Sequence, residues 1–165
     1  MSEAAIGLGS NLGDKSENLL LAVQAVNRLP GTKIRAISSI FLSPPEGTDD
    51  CQEDYHNMAV KVDTQMSPMA LLGACLGIEA AMGRVRGARN AARVIDLDLL
   101  LYEGVKSESF ELSLPHPRML QRAFVLFPLK ELYPTGRAPG VFFDPYLKEM
   151  DARACERLER RIEMS

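Results

Sequence analysis

Cysteine is scarce in this chain, and Cys51, Cys75 and Cys155 have neither disulfide nor metal-ligand spacing. That sets aside a disulfide framework or a structural zinc site and suits a reducing compartment. No apolar run approaches the ~20 residues that span a bilayer. Met1-Ser2-Glu3 lacks the charged and apolar regions of a secretory leader. A small cytoplasmic protein with no membrane partner is expected. Neither sign of charge dominates: 19 basic and 22 acidic residues leave a net charge of −3. This argues against a general nucleic-acid or membrane-surface binder. Internal repeats and low-complexity segments are also missing. The sequence offers no serine–histidine–acid or nucleophilic-cysteine constellation. Gly9-Ser10-Asn11 is not followed by the Gly-Lys-Ser/Thr of a P-loop, and its glycine spacing does not fit the dinucleotide fingerprint.

What is present fits one globular domain over 1–165, with 46% apolar and 25% charged residues. Its most informative feature is Asp96-Leu97-Asp98 inside the apolar run Val94–Tyr102, just after Arg84, Arg86, Arg89 and Arg93. The run reads as a strand. Positions i and i+2 of a strand share a face, with Cα atoms roughly 6.5–7 Å apart. Both carboxylates therefore converge, while Ile95, Leu97 and Leu99 face the other way. Carboxylates that close repel one another, and partial burial strengthens the repulsion. Mg²⁺ relieves it, taking oxygen from one or two carboxylates plus phosphates, and arginines hold the phosphates. A pair of edge-strand aspartates that discourages aggregation explains the carboxylates equally well; the arginines favour the metal–phosphate reading.

Patterning gives the order strand, helix, strand, strand, helix, strand. The strands fall at Ala4–Leu8, Lys33–Phe41, Tyr55–Val62 and the aspartate run; the helices fall at Lys15–Leu29 and from Ser67-Pro68 to Met82. Asp14, with Glu17 three residues on, predicts a capped helix start. Gly9-Ser10-Asn11, between strand and helix, could present backbone N–H groups to an anion, although a plain helix-entry turn explains it better; Ser43–Asp54 reads as a long exposed loop. This order signifies an α/β (α+β) fold, a ferredoxin-like βαββαβ antiparallel sheet with helices packed on one face. A C-terminal extension follows, with a short hairpin after Glu103 and helices at Arg122–Leu132 and Ala152–Met164, the last a solvated surface helix.

Four segments could carry chemistry beside the aspartates. Tyr55 and Asn57 share a strand face, offering a ring to stack on and an amide that donates and accepts; taken alone, a structural tyrosine and a turn-capping asparagine explain the pair at least as well. Ser43-Pro44-Pro45-Glu46 holds backbone polar groups in a fixed extended geometry suited to the edge of a flat heterocycle. Gly83–Arg93 carries four guanidinium groups and two glycines and could close over polyphosphate. Interleaved aromatics expected for single-stranded nucleic acid are missing there, so no nucleic-acid partner is expected. His116, between Pro115 and Pro117, could donate to a phosphate oxygen or serve as a turn histidine bonded to backbone. His56 is expected to be structural.

Together these segments resemble the 6-hydroxymethyl-7,8-dihydropterin pyrophosphokinases, in order from Ile6-Gly7-Leu8-Gly9-Ser10-Asn11 to about Pro134. Arg93-Val94-Ile95-Asp96-Leu97-Asp98-Leu99-Leu100 and Leu114-Pro115-His116-Pro117-Arg118-Met119 are the most specific pieces. The resemblance implies transfer of a β,γ-pyrophosphoryl group from ATP to the pterin hydroxymethyl oxygen, releasing AMP, in folate biosynthesis. It implies Asp96 and Asp98 as ligands of two Mg²⁺ ions, and Arg84, Arg93 and Asp98 as catalytic residues. ATP contacts would come from Glu79, Arg84, Arg86, Arg93, Ser113, His116 and Arg122. The pterin would meet Ser43, Pro45, Glu46, Tyr55, Asn57 and Phe124, with Tyr55 and Phe124 as the two stacking rings. The group that takes the hydroxymethyl proton is left open between Asp98 and a metal-bound water. A stand-alone monomer with ATP and the pterin as its partners is expected; the alternative is an inactive nucleotide- and pterin-binding module. Asn90 and Ala92 stand where family members often carry tryptophan and proline, and Glu111 where some carry an arginine. These departures bear on affinity and loop ordering more than on the reaction.

Overall fold

Two apolar cores lie on opposite sides of one sheet, and alternation along the first strand, β1 (Ser2–Ser10), feeds both. The structure is a computed structural model and describes residues 1–45, 52–83, 92–159 and 161–163. Ala4, Ile6 and Leu8 enter the first core and Ala5 the second, the period-2 consequence of a strand buried on both faces. The helix α1 (Lys15–Asn27) begins where expected: the Asp14 carboxylate accepts the Glu17 N–H at 3.1 Å. Asp14→Ala is expected to cost about 1 kcal/mol. Thermal unfolding should show Tm falling by roughly 2–4 °C for a chain of this size; an unchanged Tm would make the cap dispensable.

The expected second strand is interrupted. It forms β2 (Thr32–Ile37) and β3 (Phe41–Ser43), both paired to β4 (Tyr55–Thr64). At the break Ser38 N–H donates to the Ala59 carbonyl, and Ser38 Oγ accepts the Ala59 N–H, both at 2.9 Å. The Glu131 carboxylate accepts the Ser39 N–H at 2.7 Å. A side chain thus supplies the ladder bond that the backbone gives up. Helix α2 (Pro68–Ala81) starts at Ser67, whose side chain accepts the Ala70 N–H, and leads to β5 (Asp96–Tyr102). The sheet runs β2/β3–β4–β1–β5, antiparallel throughout. That is the ferredoxin-like order, with residues of α1 and α2 filling the first core.

The extension departs further from expectation. Helices do not keep to one face: α3 (Ala123–Leu132), after the hairpin β6 (Ser107–Glu108) and β7 (Ser113–Leu114), covers the other. Its Val125, Leu126, Leu129 and Leu132 meet Ala5, Ala59, Leu100 and Leu101; each fully buried leucine stabilises by about 1.5–3 kcal/mol. A second hairpin, β8 (Arg137–Ala138) with β9 (Val141–Phe142), and the short α4 (Asp144–Lys148) follow. The helix expected over Ala152–Met164 is absent among the described residues. Glu156–Arg157 instead forms β10 against β3, Leu158 N–H donates to the Ile40 carbonyl at 2.8 Å, and Ile162 joins the first core. An unpaired strand edge offers ladder bonds that outweigh the helix propensity of this charged segment.

Candidate active site

Helix α3 covers only part of its sheet face, leaving the ends of β1, β4 and β5 beyond its first turn. Register sets what stands there. Gly9 lies opposite Asn57 on one side and Asp96 on the other; Gly7 lies opposite Ala59 and Asp98. Neighbouring strands are about 4.8 Å apart, so Asn57 and Asp96 stand about 10 Å from one another across a glycine. A cleft of about 230 Å³ opens here, lined by Ser43, Pro44, Pro45, Gln52, Tyr55, Asn57, Arg93, Asp96, Asp98, Arg118, Arg122 and Phe124. Below it, a void of about 20 Å³ reaches Gly7, Gly9 and Val125, room for a single water.

The two aspartates share this face. Asp96 Oδ1 is 3.1 Å from Arg93 Nη1. Burial pushes the Asp98 carboxyl up to about 7, the Asp96 charge adds to the rise, and Arg122 pulls against it. Beneath the strand, Glu79 is 4% exposed, and its Oε2 accepts the Leu97 N–H at 2.7 Å. Among the described residues β5 pairs with β1 alone, so alternate N–H groups point away from the sheet; Glu79 satisfies the one between the aspartates. It does not line the cleft. The donor set fits Mg²⁺: two hard carboxylates, mutually repelled, open onto a cleft that could admit phosphate oxygens. Among the described residues no group of three or more His, Cys, Asp or Glu could hold a metal ion by itself, so further ligands would come from substrate and water.

Cations flank the acids. Arg93, Arg118 and Arg122 line the cleft, and the Arg122 guanidinium lies 5.4 Å from the Phe124 ring centroid. His116 N–H donates to the Leu100 carbonyl at 2.7 Å, and its Nδ1 accepts the Arg118 N–H at 3.3 Å. An accepting Nδ1 assigns the neutral ring's proton to Nε2. The turn reading of this histidine is thus the one with a hydrogen bond in the structure, and His116 is not among the residues that line the cleft. Its pKa is held down by burial, then by Arg122 and Arg118. Ser113 sits on β7, its hydroxyl donating to the Ser109 carbonyl at 3.0 Å, outside the cleft lining. Arg84, Arg86 and Glu46 lie outside the described residues.

Across Gly9 from the acids stand Tyr55 and Asn57 on β4, with Ser43 and Pro45 from β3 and its end; Phe124 lines the cleft from α3. Asn57 Nδ2 donates to Ser43 Oγ at 2.6 Å, tying β4 to β3. Burial and Lys15 hold the pKa of neighbouring His56 below its usual value. Sequence patterning missed Gln52 and Arg118 in the lining. It also read Gly9-Ser10-Asn11 as a turn, whereas Gly9 and Ser10 complete β1. The signal was there: glycines alternating along a strand mark a face that something must approach closely.

The family model for 7,8-dihydro-6-hydroxymethylpterin-pyrophosphokinase (HPPK) matches residues 5–134. The chain belongs to this family. A 2-amino-4-hydroxy-6-hydroxymethyldihydropteridine pyrophosphokinase of Methylorubrum extorquens is 43% identical over 159 residues, covering 96% of this chain and 100% of that one. Its counterpart in Bacillus subtilis is 40% identical over 129 residues, 78% of this chain and 77% of the relative. In fold, a Plasmodium falciparum HPPK-DHPS is similar, with a TM-score of 0.65 at 14% identity, over 90% of this chain and 45% of that one. The segment matched to HPPK runs from β1 to just past α3 and contains every lining residue of the cleft.

Proposed function

We propose that this chain transfers the β,γ-pyrophosphoryl group of ATP to the hydroxymethyl oxygen of 6-hydroxymethyl-7,8-dihydropterin, releasing AMP. The observation that carries the reading is the register across Gly9, which sets an aromatic–amide pair and a carboxylate–arginine group on opposite sides of one cleft. Tyr55 and Phe124 hold the pterin between their faces, and Asn57 with the backbone of Ser43, Pro45 and Glu46 reads its edge. Arg84, Arg86, Arg93, Ser113, His116 and Arg122 hold the nucleotide, and Glu79 braces the acid-bearing strand from beneath through the Leu97 N–H. Asp96 and Asp98 are the residues that would hold two Mg²⁺ ions. Bound there, the metal neutralises phosphate charge at the entering and leaving oxygens.

Phosphoryl-type transfer asks the protein mainly for alignment and charge stabilisation. Arg93 and Arg122 supply cations on the acid side of the cleft, and the stacked rings fix the hydroxymethyl group toward them. Arg93 is ion-paired to Asp96 in the structure; with nucleotide bound, its guanidinium would pair with phosphate instead, leaving the Asp96 carboxylate available to hold Mg²⁺. The reading takes the chain as one domain, a monomer working in the cytoplasm. Among the described residues no helix is long and apolar enough to cross a membrane. Incubation with Mg²⁺-ATP and the hydroxymethyl dihydropterin is expected to yield AMP and pterin diphosphate. ADP would mean an ordinary kinase, and neither nucleotide product would mean a binding module.

A further inference from the structure

We propose that Asn11 is a positioning residue that joins the nucleotide half of the cleft to the pterin half, an inference that rests on the pyrophosphokinase reading. Asn11 is 2% exposed at the end of β1. Its Oδ1 accepts the Arg93 N–H at 2.7 Å, and its own N–H donates to the Arg93 carbonyl at 3.1 Å. With the oxygen committed to a donor, the amide nitrogen must face the other way. It donates to Gln52 Oε1 at 3.0 Å and toward the Glu53 carbonyl at 3.4 Å.

Position along the chain gives these bonds their meaning. Arg93 stands three residues before Asp96, and Gln52 three residues before Tyr55. One planar amide therefore fixes the entry to the acidic strand and the entry to the stacking strand against each other. Asparagine alone fits: aspartate of equal size cannot donate, and glutamine is a methylene too long for a buried site. Its seat is fixed from α1, where Asn18 Nδ2 donates to Ser10 Oγ at 3.2 Å and to the Leu12 carbonyl at 2.9 Å. A triphosphate held by Arg93 and a pterin beside Tyr55 would then bear on the two ends of one amide's hydrogen bonds. Binding at either half then favours binding at the other by an equal factor.

Asn11→Asp keeps the acceptor for Arg93 and removes the donor to Gln52 and Glu53, but adds a buried negative charge; Gln52→Ala loosens the same contact without that charge. Pterin titrations with and without a non-hydrolysable Mg²⁺-ATP analogue test it without turnover. In these titrations Asn11→Asp is expected to bind the analogue within about 2-fold of wild type and to weaken pterin binding about 10-fold; a separate turnover assay should show the pterin KM raised about 10-fold with kcat nearly unchanged. The tightening of pterin binding by the analogue should shrink by a similar factor. Gln52→Ala should reproduce the effect, and the double variant should be no weaker than Asn11→Asp alone. If Asn11→Asp does not fold, Gln52→Ala carries the test alone. Equal losses for nucleotide and pterin, additive losses in the double variant, or an undiminished enhancement by the analogue would each overturn the role. AMP production by wild type reports separately on the pyrophosphokinase reading.

Discussion

Asp98→Asn is expected to lose at least about 1,000-fold in AMP formation, equivalent to ~4 kcal/mol of transition-state stabilisation, and at the same time to fold into a more stable ligand-free protein at pH 8. The two effects share a cause. In the ligand-free fold, burial raises the Asp98 carboxyl from an ordinary 3.8 to about 7, and the Asp96 charge raises it further than burial alone would. A carboxyl raised by folding adds stability that is fully present below its unfolded pKa. That contribution is lost as pH climbs through the folded value. Wild type should therefore lose stability from about pH 4 to pH 7 through this group. Asparagine removes the charge and flattens that slope, a gain of about 1–3 kcal/mol at pH 8. Mg²⁺ with an ATP analogue should stabilise wild type strongly and the variant little, because the metal has lost a ligand. Thermal unfolding at several pH values and an AMP assay measure both effects. A variant that turns over normally, or unfolds earlier than wild type at pH 8, would rule out Asp98 as a strained metal ligand.

Local chemistry was legible in the sequence. The Asp14 and Ser67 caps, the alternation that puts Asp96 and Asp98 on one face, and the pairing of Tyr55 with Asn57 depend on residues a few positions apart. Long-range pairing was not. The split of β2 from β3 rests on Ser38, Ala59 and Glu131, which are distant in sequence. The charged tail from Ala152 has helix-forming composition, yet it completes a strand edge, and nothing in its own residues announces that edge. The second core needs Ala5, Ala59 and Leu126 together on the far face. The same division holds for the cleft. Its acids, rings and arginines were visible as residue types, and Asn11 as part of a turn; the bonds that join Asn11 to Arg93 and Gln52 emerged only when two distant segments were brought to one amide.

Gly9→Ala should weaken pterin binding on the order of 100-fold while leaving nucleotide affinity within about 3-fold of wild type. A Cβ on Gly9 would stand 2.9 Å from Asn57 Oδ1 and 3.4 Å from the Tyr55 ring. The first distance is too short for carbon and oxygen, so the Asn57 amide must swing. It cannot swing without disturbing its 2.6 Å bond to Ser43, a neighbour of the proposed edge-reading backbone. Losing one or two amide hydrogen bonds at about 1 kcal/mol each, with a displaced stacking ring, accounts for about 2.7 kcal/mol. The other side of the glycine is different. Asp96, its partner on β5, has no atom among the three nearest to the added methyl, so nucleotide and metal binding should persist. Gly7→Ala is the internal control: the three atoms nearest its Cβ would all belong to Leu100, from 3.5 Å, an ordinary contact. Titration of both variants with the pterin and with an ATP analogue separates these cases. Equal weakening of both ligands in Gly9→Ala would mean that the glycine serves the strand as a whole. Selective loss of the pterin would make it the floor on which the ring is laid.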